Sequence, residues 1–201
     1  MPRILGITGN IACGKTAVGQ MLLELGAERY IDADAVVHAL YLSGQPIAVQ
    51  VARVFGPTVL AADGSVDRKA LGEIVFQDTA AMKRLEAIVH PAVGQAIANE
   101  LAAVSPTGIA IIDAVKLLEG GSVSFCQSKW IVICPEDQEL ARLMARNHLS
   151  RDEALARLRA QSPVEPRLAL VDEVIDNGGS LEETRRQVVA AFERFLKRYP
   201  A

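Results

Sequence analysis

The sequence predicts an α/β fold in which a parallel β-sheet is flanked by helices on both faces. Short apolar runs rich in Val and Ile, such as residues 108–112 and 130–134, alternate with longer segments whose apolar residues recur every three or four positions. Continuous apolar runs are typical of strands buried on both faces, and strands that alternate with helices form parallel sheets. A length of 201 residues is sufficient for one domain with a sizeable insertion.

The chain begins with a predicted strand, loop, helix and second strand. Residues 3–8 form an apolar run, a glycine-punctuated loop follows, and residues 16–25 have helical periodicity. Residues 29–31 are the second strand candidate, and Asp32 and Asp34 follow it directly.

A long helical stretch separates the second strand from the third. Residues 35–104 are predicted to be helical except for a break at residues 55–66, which contains Gly-Pro and Asp-Gly turn signals. Because this stretch is too long for a simple crossover, we expect a single domain with a core of residues 1–34 and 105–201 and an inserted helical subdomain.

The last part of the chain returns to alternating strands and helices. A helix opens at Pro135, after the fourth strand candidate, and residues 173–175 are the last strand candidate. Serine followed three positions later by glutamate forms a capping box, which predicts helix starts at Ser150 and Ser180. The arginine-rich helices at about residues 142–166 are expected to form a lid.

Composition argues against several classes of protein. The formal net charge is −3, from 21 Lys+Arg against 24 Asp+Glu, which provides no field for holding nucleic acid. The longest apolar runs are about five residues, far below the roughly 18 of a membrane span. The three cysteines lack the spacing of a disulfide framework or zinc site. We expect a cytoplasmic protein that is a monomer or a weak homo-oligomer.

The strongest motif is G-N-I-A-C-G-K-T at residues 9–16, which matches the phosphate-binding pattern G-x-x-x-x-G-K-[ST] between a predicted strand and a predicted helix. Glycines let backbone N–H groups surround phosphates, while Lys15 would reach the β- and γ-phosphates and the Thr16 hydroxyl would bind Mg²⁺. The alternatives are a glycine-rich turn with an exposed lysine and, for Cys13, a redox nucleophile. The residues expected to hold ATP in this loop are Ile11, Ala12, Cys13, Gly14, Lys15, Thr16 and Ala17.

Other motifs narrow the class of nucleotide-binding protein. The guanine-reading N-K-x-D of GTPases is absent, and residues 42–45 match the transporter pattern L-S-G-G-Q only in part. A small kinase remains, with a helical insertion that holds the acceptor and a basic lid.

Several short segments follow the loop in a fixed order. They are residues 31–34 (IDAD), His38, residues 63–76 with D-G-x-x-D-R-K-A-L-G, His90-Pro91, Arg142-x-x-x-Arg146 and residues 174–178 (VIDNG). With the loop, they resemble the dephospho-CoA kinase family from Arg3 to about Asn177. One departure is V-K-L-L-E at residues 115–119, where the family usually has P-L-L-F-E.

The resemblance implies that ATP, with Mg²⁺, phosphorylates the ribose 3′-hydroxyl of dephospho-CoA to give coenzyme A and ADP. One alternative is another small-molecule kinase of the same fold, acting on a nucleoside, a nucleotide or a sugar acid. Another is a non-enzymatic module in which ATP only stabilises a partner-binding shape.

Three carboxylates at predicted strand ends are candidates for chemistry. Asp34 is expected to be the general base that orients the acceptor hydroxyl and accepts its proton. Asp32 is expected to face the acceptor, to support the metal or to cap the next helix. Asp113 would hold Mg²⁺ through water, or else bond to nearby backbone.

Basic and polar side chains complete the predicted site. Arg142 and Arg146 lie one helical turn apart, where they either stabilise the transferring phosphoryl group or form a solvated face. We expect Arg142 to act in catalysis and Arg146 to bind ATP. The residues expected to contact the acceptor are His38, Arg68, Lys69, His90 and Lys116, and Asn177 is expected to contact adenine; for each, a structural or solvated role is the alternative.

Overall fold

The computed structural model describes residues 2–201, which divide into two compact units. One unit comprises residues 2–32 and 101–201, and the other comprises residues 33–100. The first unit is built on a single five-stranded sheet.

All neighbouring strands of the sheet are parallel. The strands are β1 (Arg3–Thr8), β2 (Arg29–Asp32), β3 (Ile109–Asp113), β4 (Ser128–Ile133) and β5 (Glu173–Asp176), in the order β2-β3-β1-β4-β5. The first strand is therefore central, and the strand order reverses beside it. In open α/β sheets this reversal leaves a crevice at the carboxyl end of the central strand, where ligands bind.

Nine α-helices connect and follow these strands in residues 2–201. They are α1 (Lys15–Glu24), α2 (Ala33–Leu40), α3 (Pro46–Phe55), α4 (Arg68–Val75), α5 (Thr79–Ala102), α6 (Glu136–Asn147), α7 (Arg151–Arg159), α8 (Glu165–Leu168) and α9 (Leu181–Arg198). Two short 3-10 helices lie at Pro57–Val59 and Gly121–Phe125.

The main hydrophobic core lies between the sheet and the helices α1 and α9. Every residue of β3 is buried, as its continuous apolar sequence predicts. Trp130 of β4 is fully buried and packs in the same cluster as Phe192 and Phe195 of α9. Burying such large side chains supplies much of the free energy that holds the helices on the sheet.

Both predicted capping boxes are present. The Ser150 and Ser180 hydroxyls accept from the backbone N–H of Glu153 and Glu183, and each glutamate side chain accepts in return from its serine N–H. The helix expected from Pro135 starts one residue later, with Pro135 at the N-cap position.

The observed strand limits differ slightly from the predicted ones. The third strand runs one residue further than predicted and ends at Asp113, and the fourth includes Ser128 and ends at Ile133. Ser128 pairs with Leu5 in the central strand, so backbone pairing extends the strand beyond its apolar run. Apolarity marks burial, whereas the ends of a strand are set by its hydrogen-bonded neighbour.

The second unit is almost entirely helical, as predicted. The expected break contains a 3-10 turn at Pro57–Val59 and an isolated antiparallel bridge between Leu60 and Val66. The Asp67 side chain then caps α4 by accepting from the N–H groups of Lys69 and Ala70. Among residues 2–201, no helix combines the length and apolar character needed to cross a membrane.

Candidate active site

The phosphate-binding loop connects β1 to α1, and glycine is required at both of its ends. Gly9 and Gly14 have positive φ angles of 146° and 105°. A Cβ atom at Gly9 would lie 2.3 Å from the Val132 carbonyl oxygen, and one at Gly14 would lie 2.0 Å from the Asn177 amide nitrogen. Any side chain at either position would therefore displace the backbone of the loop.

The N-terminus of α1 is suited to bind an anion. Gly14 occupies the N-cap position, so no side chain of the N-cap residue covers the first N–H groups of the helix. The positive end of the helix and its N–H groups therefore face whatever enters the loop. Ala12 has a φ of 64°, which is a strained conformation for a non-glycine residue and is typical of functional loops.

The carbonyl groups of the loop accept hydrogen bonds from three side chains. The Lys15 ammonium donates to the carbonyls of Gly9 and Asn10 at 3.1 and 3.2 Å. The Cys13 carbonyl accepts from Asn177 Nδ2 at 2.8 Å and from Arg142 at 3.3 Å. These three side chains hold the backbone of the loop in one conformation.

A cavity of about 700 Å³ opens in front of the loop. Its lining residues are Ala12, Gly14, Lys15, Thr16, Arg142, Ala145 and Arg146. This volume is within the usual range for small-molecule sites, and three of the lining side chains are cationic. The structure thus brings together four residues predicted from the sequence, Lys15, Thr16, Arg142 and Arg146, in a place suited to a polyphosphate.

Thr16 and Asp113 are connected through a tyrosine that the sequence did not single out. The Tyr30 hydroxyl donates to the Asp113 carboxylate and bonds to the Thr16 hydroxyl. Burial, followed by the Asp113 charge, raises the pKa of Tyr30, so the phenol stays protonated. Tyr30 packs closely on Gly19 of α1, where a Cβ atom would lie 2.1 Å from its ring.

A hydroxyl and a carboxylate are hard oxygen donors of the kind that Mg²⁺ prefers. Within residues 2–201 there is no group of three or more His, Cys, Asp or Glu side chains placed to hold a metal. Magnesium in kinases is held by one or two protein groups together with substrate phosphates, so Thr16 and Asp113 fit this ion beside the loop.

The other carboxylates lie at or just beyond the same edge of the sheet. Asp32 pairs with Asp113 where β2 and β3 end, and Asp32 is exposed. Asp34 lies two positions later, in the first turn of α2, and is also exposed.

The predicted acceptor residues are distributed over both units. In the second unit, the structure brings His38 and Arg68 into contact through a short bond from the guanidinium to the imidazole Nε2. Lys69 in α4 and His90 in α5 are exposed. Lys116, in the turns after β3, is exposed and does not line the cavity described above.

Asn177 has a different environment from the one expected of an adenine contact. The residue is 4% exposed, its Nδ2 donates to the Cys13 carbonyl, and its Oδ1 accepts from the Thr184 hydroxyl at 3.0 Å. Since both ends of the amide are engaged inside the protein, this placement favours a role in holding the loop.

Cys13 has none of the properties of a redox nucleophile. Its side chain is fully buried, and burial raises the pKa of the thiol to about 11, so the reactive thiolate is scarce at neutral pH. The contribution of Cys13 to the loop is its backbone, as the phosphate-binding interpretation requires.

Sequence reasoning missed three residues that hold the loop. Arg167 of α8 donates to Asn10 Oδ1 at 3.2 Å, and the Gln161 side chain accepts from the Ile11 N–H at 2.6 Å. The buried Glu139 of α6 accepts from the Asn10 amide. No local pattern distinguishes these side chains from solvated ones, because their partners lie far away along the chain.

The reversed strand order, the glycine loop and the cationic cavity together define the class of protein. They place the chain among the phosphate-loop kinases. Comparison with known proteins narrows this class to one family.

The family model for dephospho-CoA kinase matches residues 3–183. A dephospho-CoA kinase of Carboxydothermus hydrogenoformans is 41% identical to this chain, over 96% of the chain and 94% of that protein. The crystal structure of TT1252 from Thermus thermophilus is 34% identical, with a TM-score of 0.82 over 97% of this chain and 98% of its own. Dephospho-CoA kinase from Campylobacter jejuni is 27% identical, with a TM-score of 0.56 over 96% and 97% of the two chains. The chain belongs to the dephospho-CoA kinase family.

The Glu139 carboxyl predicts a pH dependence of stability. Burial raises the pKa of Glu139, and the nearby Glu136 charge acts in the same direction, whereas Asn10, Lys15 and Arg142 oppose the shift. A raised pKa means that the folded state holds the proton more tightly than the unfolded state. The stabilising contribution is therefore complete below the unfolded value and is lost as the pH rises through the folded value.

Glu139→Gln should remove this dependence while keeping an acceptor for the Asn10 amide. We expect the Tm of the variant minus that of the wild type to increase between about pH 4.5 and pH 8, measured by differential scanning calorimetry. Glu193→Gln, at an exposed position of α9, controls for the change in net charge. A variant that loses stability relative to the wild type as the pH rises would contradict the assignment.

Proposed function

We propose that this chain transfers the γ-phosphoryl group of ATP to the ribose 3′-hydroxyl of dephospho-CoA, giving coenzyme A and ADP. The observation that carries the proposal is the phosphate-binding loop, which leads into helix α1 and borders a cationic cavity in a chain of the dephospho-CoA kinase family. Phosphoryl transfer requires little covalent chemistry from a protein, so positioning and charge stabilisation account for most of the catalysis.

On the donor side, the loop and Lys15 bind the triphosphate. Arg142 lines the cavity from α6 and is anchored by the Cys13 and Asn177 carbonyls, so its guanidinium has a defined position next to the loop. Arg146 lines the same cavity from an exposed position one turn further along the helix. These cations offset the negative charge of the transferring phosphoryl group. Arg142 acts in catalysis, and Arg146 binds ATP.

Magnesium would be held by the Thr16 hydroxyl and, directly or through water, by Asp113. An ion bound there would neutralise negative charge on the phosphates of ATP. Tyr30 fixes the orientation of the Asp113 carboxylate and of the Thr16 hydroxyl. The hydroxyl bonds to Tyr30 through its proton, which leaves its lone pairs for the metal.

On the acceptor side, Asp34 is the general base. It follows the carboxyl end of β2 by two residues, and the carboxyl ends of parallel strands are where open α/β sheets bind ligands. An exposed carboxylate can accept the proton of the attacking hydroxyl and orient it. Asp32 supports the acceptor or the metal beside Asp113.

The helical insertion, residues 35–104, binds the rest of dephospho-CoA. The Arg68 guanidinium, paired with His38 at the start of α4, is suited to the acidic groups of this acceptor. Lys69 and His90 also contact the acceptor, and so does Lys116 in the segment that follows β3. Adenine contact by Asn177 rests on the family resemblance alone.

The lid comprises about residues 142–166, and the core comprises residues 1–34 and 105–201. The enzyme acts in the cytoplasm on a small molecule rather than on nucleic acid, which its net charge of −3 does not attract. It acts as a monomer or a weak homo-oligomer.

The direct test is incubation with MgATP and dephospho-CoA, followed by mass spectrometry. The proposal predicts a product with one added phosphate and ADP release that depends on the acceptor. AMP, CMP and gluconate serve as parallel acceptors because other small-molecule kinases are the main alternative. Turnover of one of these in place of dephospho-CoA would refute the proposed acceptor, and ATP binding without any transfer would support a non-enzymatic module.

Lys15→Ala should abolish most of the turnover without unfolding the protein, because the side chain lines the cavity and does not pack in the core. Loss of one such electrostatic contact typically lowers the rate by about 10²–10³-fold. Steady-state kinetics with Lys197→Ala, an exposed position of α9, as control would check this. Activity above about half of the wild-type value would mean that the loop does not hold the transferring phosphates.

Asp34→Asn should lower kcat by at least about 10²-fold, because the amide keeps the shape of the side chain but cannot accept the proton. KM values should change only about severalfold, since the loop is unaltered. Asp32→Asn is the comparison and should leave kcat nearly unchanged, because asparagine caps a helix about as well as aspartate does. If the effects on kcat are reversed, the two roles are exchanged, and if neither variant slows turnover about tenfold, neither carboxylate is the base.

A further inference from the structure

Arg167 is unusual among the arginines of this protein because it is almost completely buried. It lies in the short helix α8 and is 4% exposed. Its Nε is buried without a hydrogen-bond partner among residues 2–201. Burial of a guanidinium costs free energy unless its partners compensate the charge, so its position calls for an explanation other than stability.

The guanidinium joins three segments at the carboxyl end of the central strand. One nitrogen, Nη2, donates to the Thr8 hydroxyl at the end of β1 and to the Val115 carbonyl at 3.0 Å. The other, Nη1, donates to Asn10 Oδ1 at 3.2 Å. The Thr8 hydroxyl itself donates to the Val115 carbonyl at 2.9 Å, which closes the network. All three partners of Arg167 are uncharged.

Asn10 connects Arg167 to Lys15 of the phosphate-binding loop. Its side chain is held between the Arg167 guanidinium, which donates to it, and the Glu139 carboxylate, which accepts from it. Its backbone carbonyl accepts from the Lys15 ammonium at 3.2 Å. A change in the orientation of Asn10 would therefore move an anchor of the lysine.

We propose that Arg167 is a positioning residue for phosphoryl transfer, acting through Asn10 on the phosphate-binding loop and on Lys15. This inference rests on the proposed function, because it assigns Arg167 a role in that same site. Arg167 does not line the cavity, so it sets the position of the groups that bind ATP without contacting it. It also ties the loop to Val115, next to Lys116 on the acceptor side of the proposed reaction.

The test measures Kd for MgATP by calorimetry, together with kcat and both KM values, for Arg167→Met, Asn10→Ala and the double variant. Arg167→Met should weaken MgATP binding and lower kcat, each by about tenfold or more, while KM for dephospho-CoA changes by less than about threefold. Arg186→Met, at an exposed position of α9, is the matched control and should change neither Kd nor kcat. Arg167→Lys should not restore activity, because one ammonium cannot donate to three segments in the geometry of a guanidinium.

Comparison of the double variant with the two single variants distinguishes a positioning role of Arg167 from a general contribution to stability. If Arg167 acts through Asn10, the double variant should be no worse in Kd and kcat than the worse single variant. Additive losses, or an Arg167→Met variant whose Kd and kcat stay within about twofold of the wild type, would overturn the inference.

If Arg167→Met does not fold, Asn10→Ala alone decides, and unchanged MgATP binding and kcat in that variant would overturn the inference. Calorimetry also keeps the two proposals distinguishable. A wild type that binds MgATP but does not phosphorylate dephospho-CoA refutes the proposed function. In that case the Kd values of the single and double variants still test whether Arg167 positions the loop.

Discussion

The active site depends on how the carbonyl groups of the phosphate-binding loop are satisfied. Each carbonyl of such a loop needs a hydrogen-bond donor once it is withdrawn from water. Lys15, Arg142 and Asn177 supply these donors to the carbonyls of Gly9, Asn10 and Cys13. The glycines allow the backbone to adopt this shape, and the surrounding side chains keep it there.

This requirement explains why polar groups occupy the region next to the loop, where an apolar core would be more stable. Arg167, Glu139 and Asn177 are each buried and each bonds to the loop or to its side chains. A buried polar network stabilises little by itself, but once its groups are satisfied it fixes one arrangement. A preorganised arrangement is what electrostatic catalysis needs, since donors that are already in place need no reorganisation when charge develops.

Local signals predicted the sheet, both capping boxes and the loop, because each of these is encoded within a few consecutive residues. The cluster of Lys15, Thr16, Arg142 and Arg146 was also predicted, through the motif and its resemblance to a family. Tyr30 and Arg167 were not predicted. Each acts by reaching a residue far away in sequence, and neither residue type nor spacing shows which tyrosine or arginine does so. The environment of Asn177 was missed for the same reason, since its amide meets Cys13 only once the sheet has formed.

The separation along the chain between the loop and its supports has a consequence for protein synthesis. Asn10 and Arg167 are 157 positions apart, and Cys13 and Asn177 are 164 apart. A ribosome therefore releases the nucleotide motif long before it releases the groups that hold it in shape. The loop is therefore held by these bonds only in chains that have been translated past Asn177.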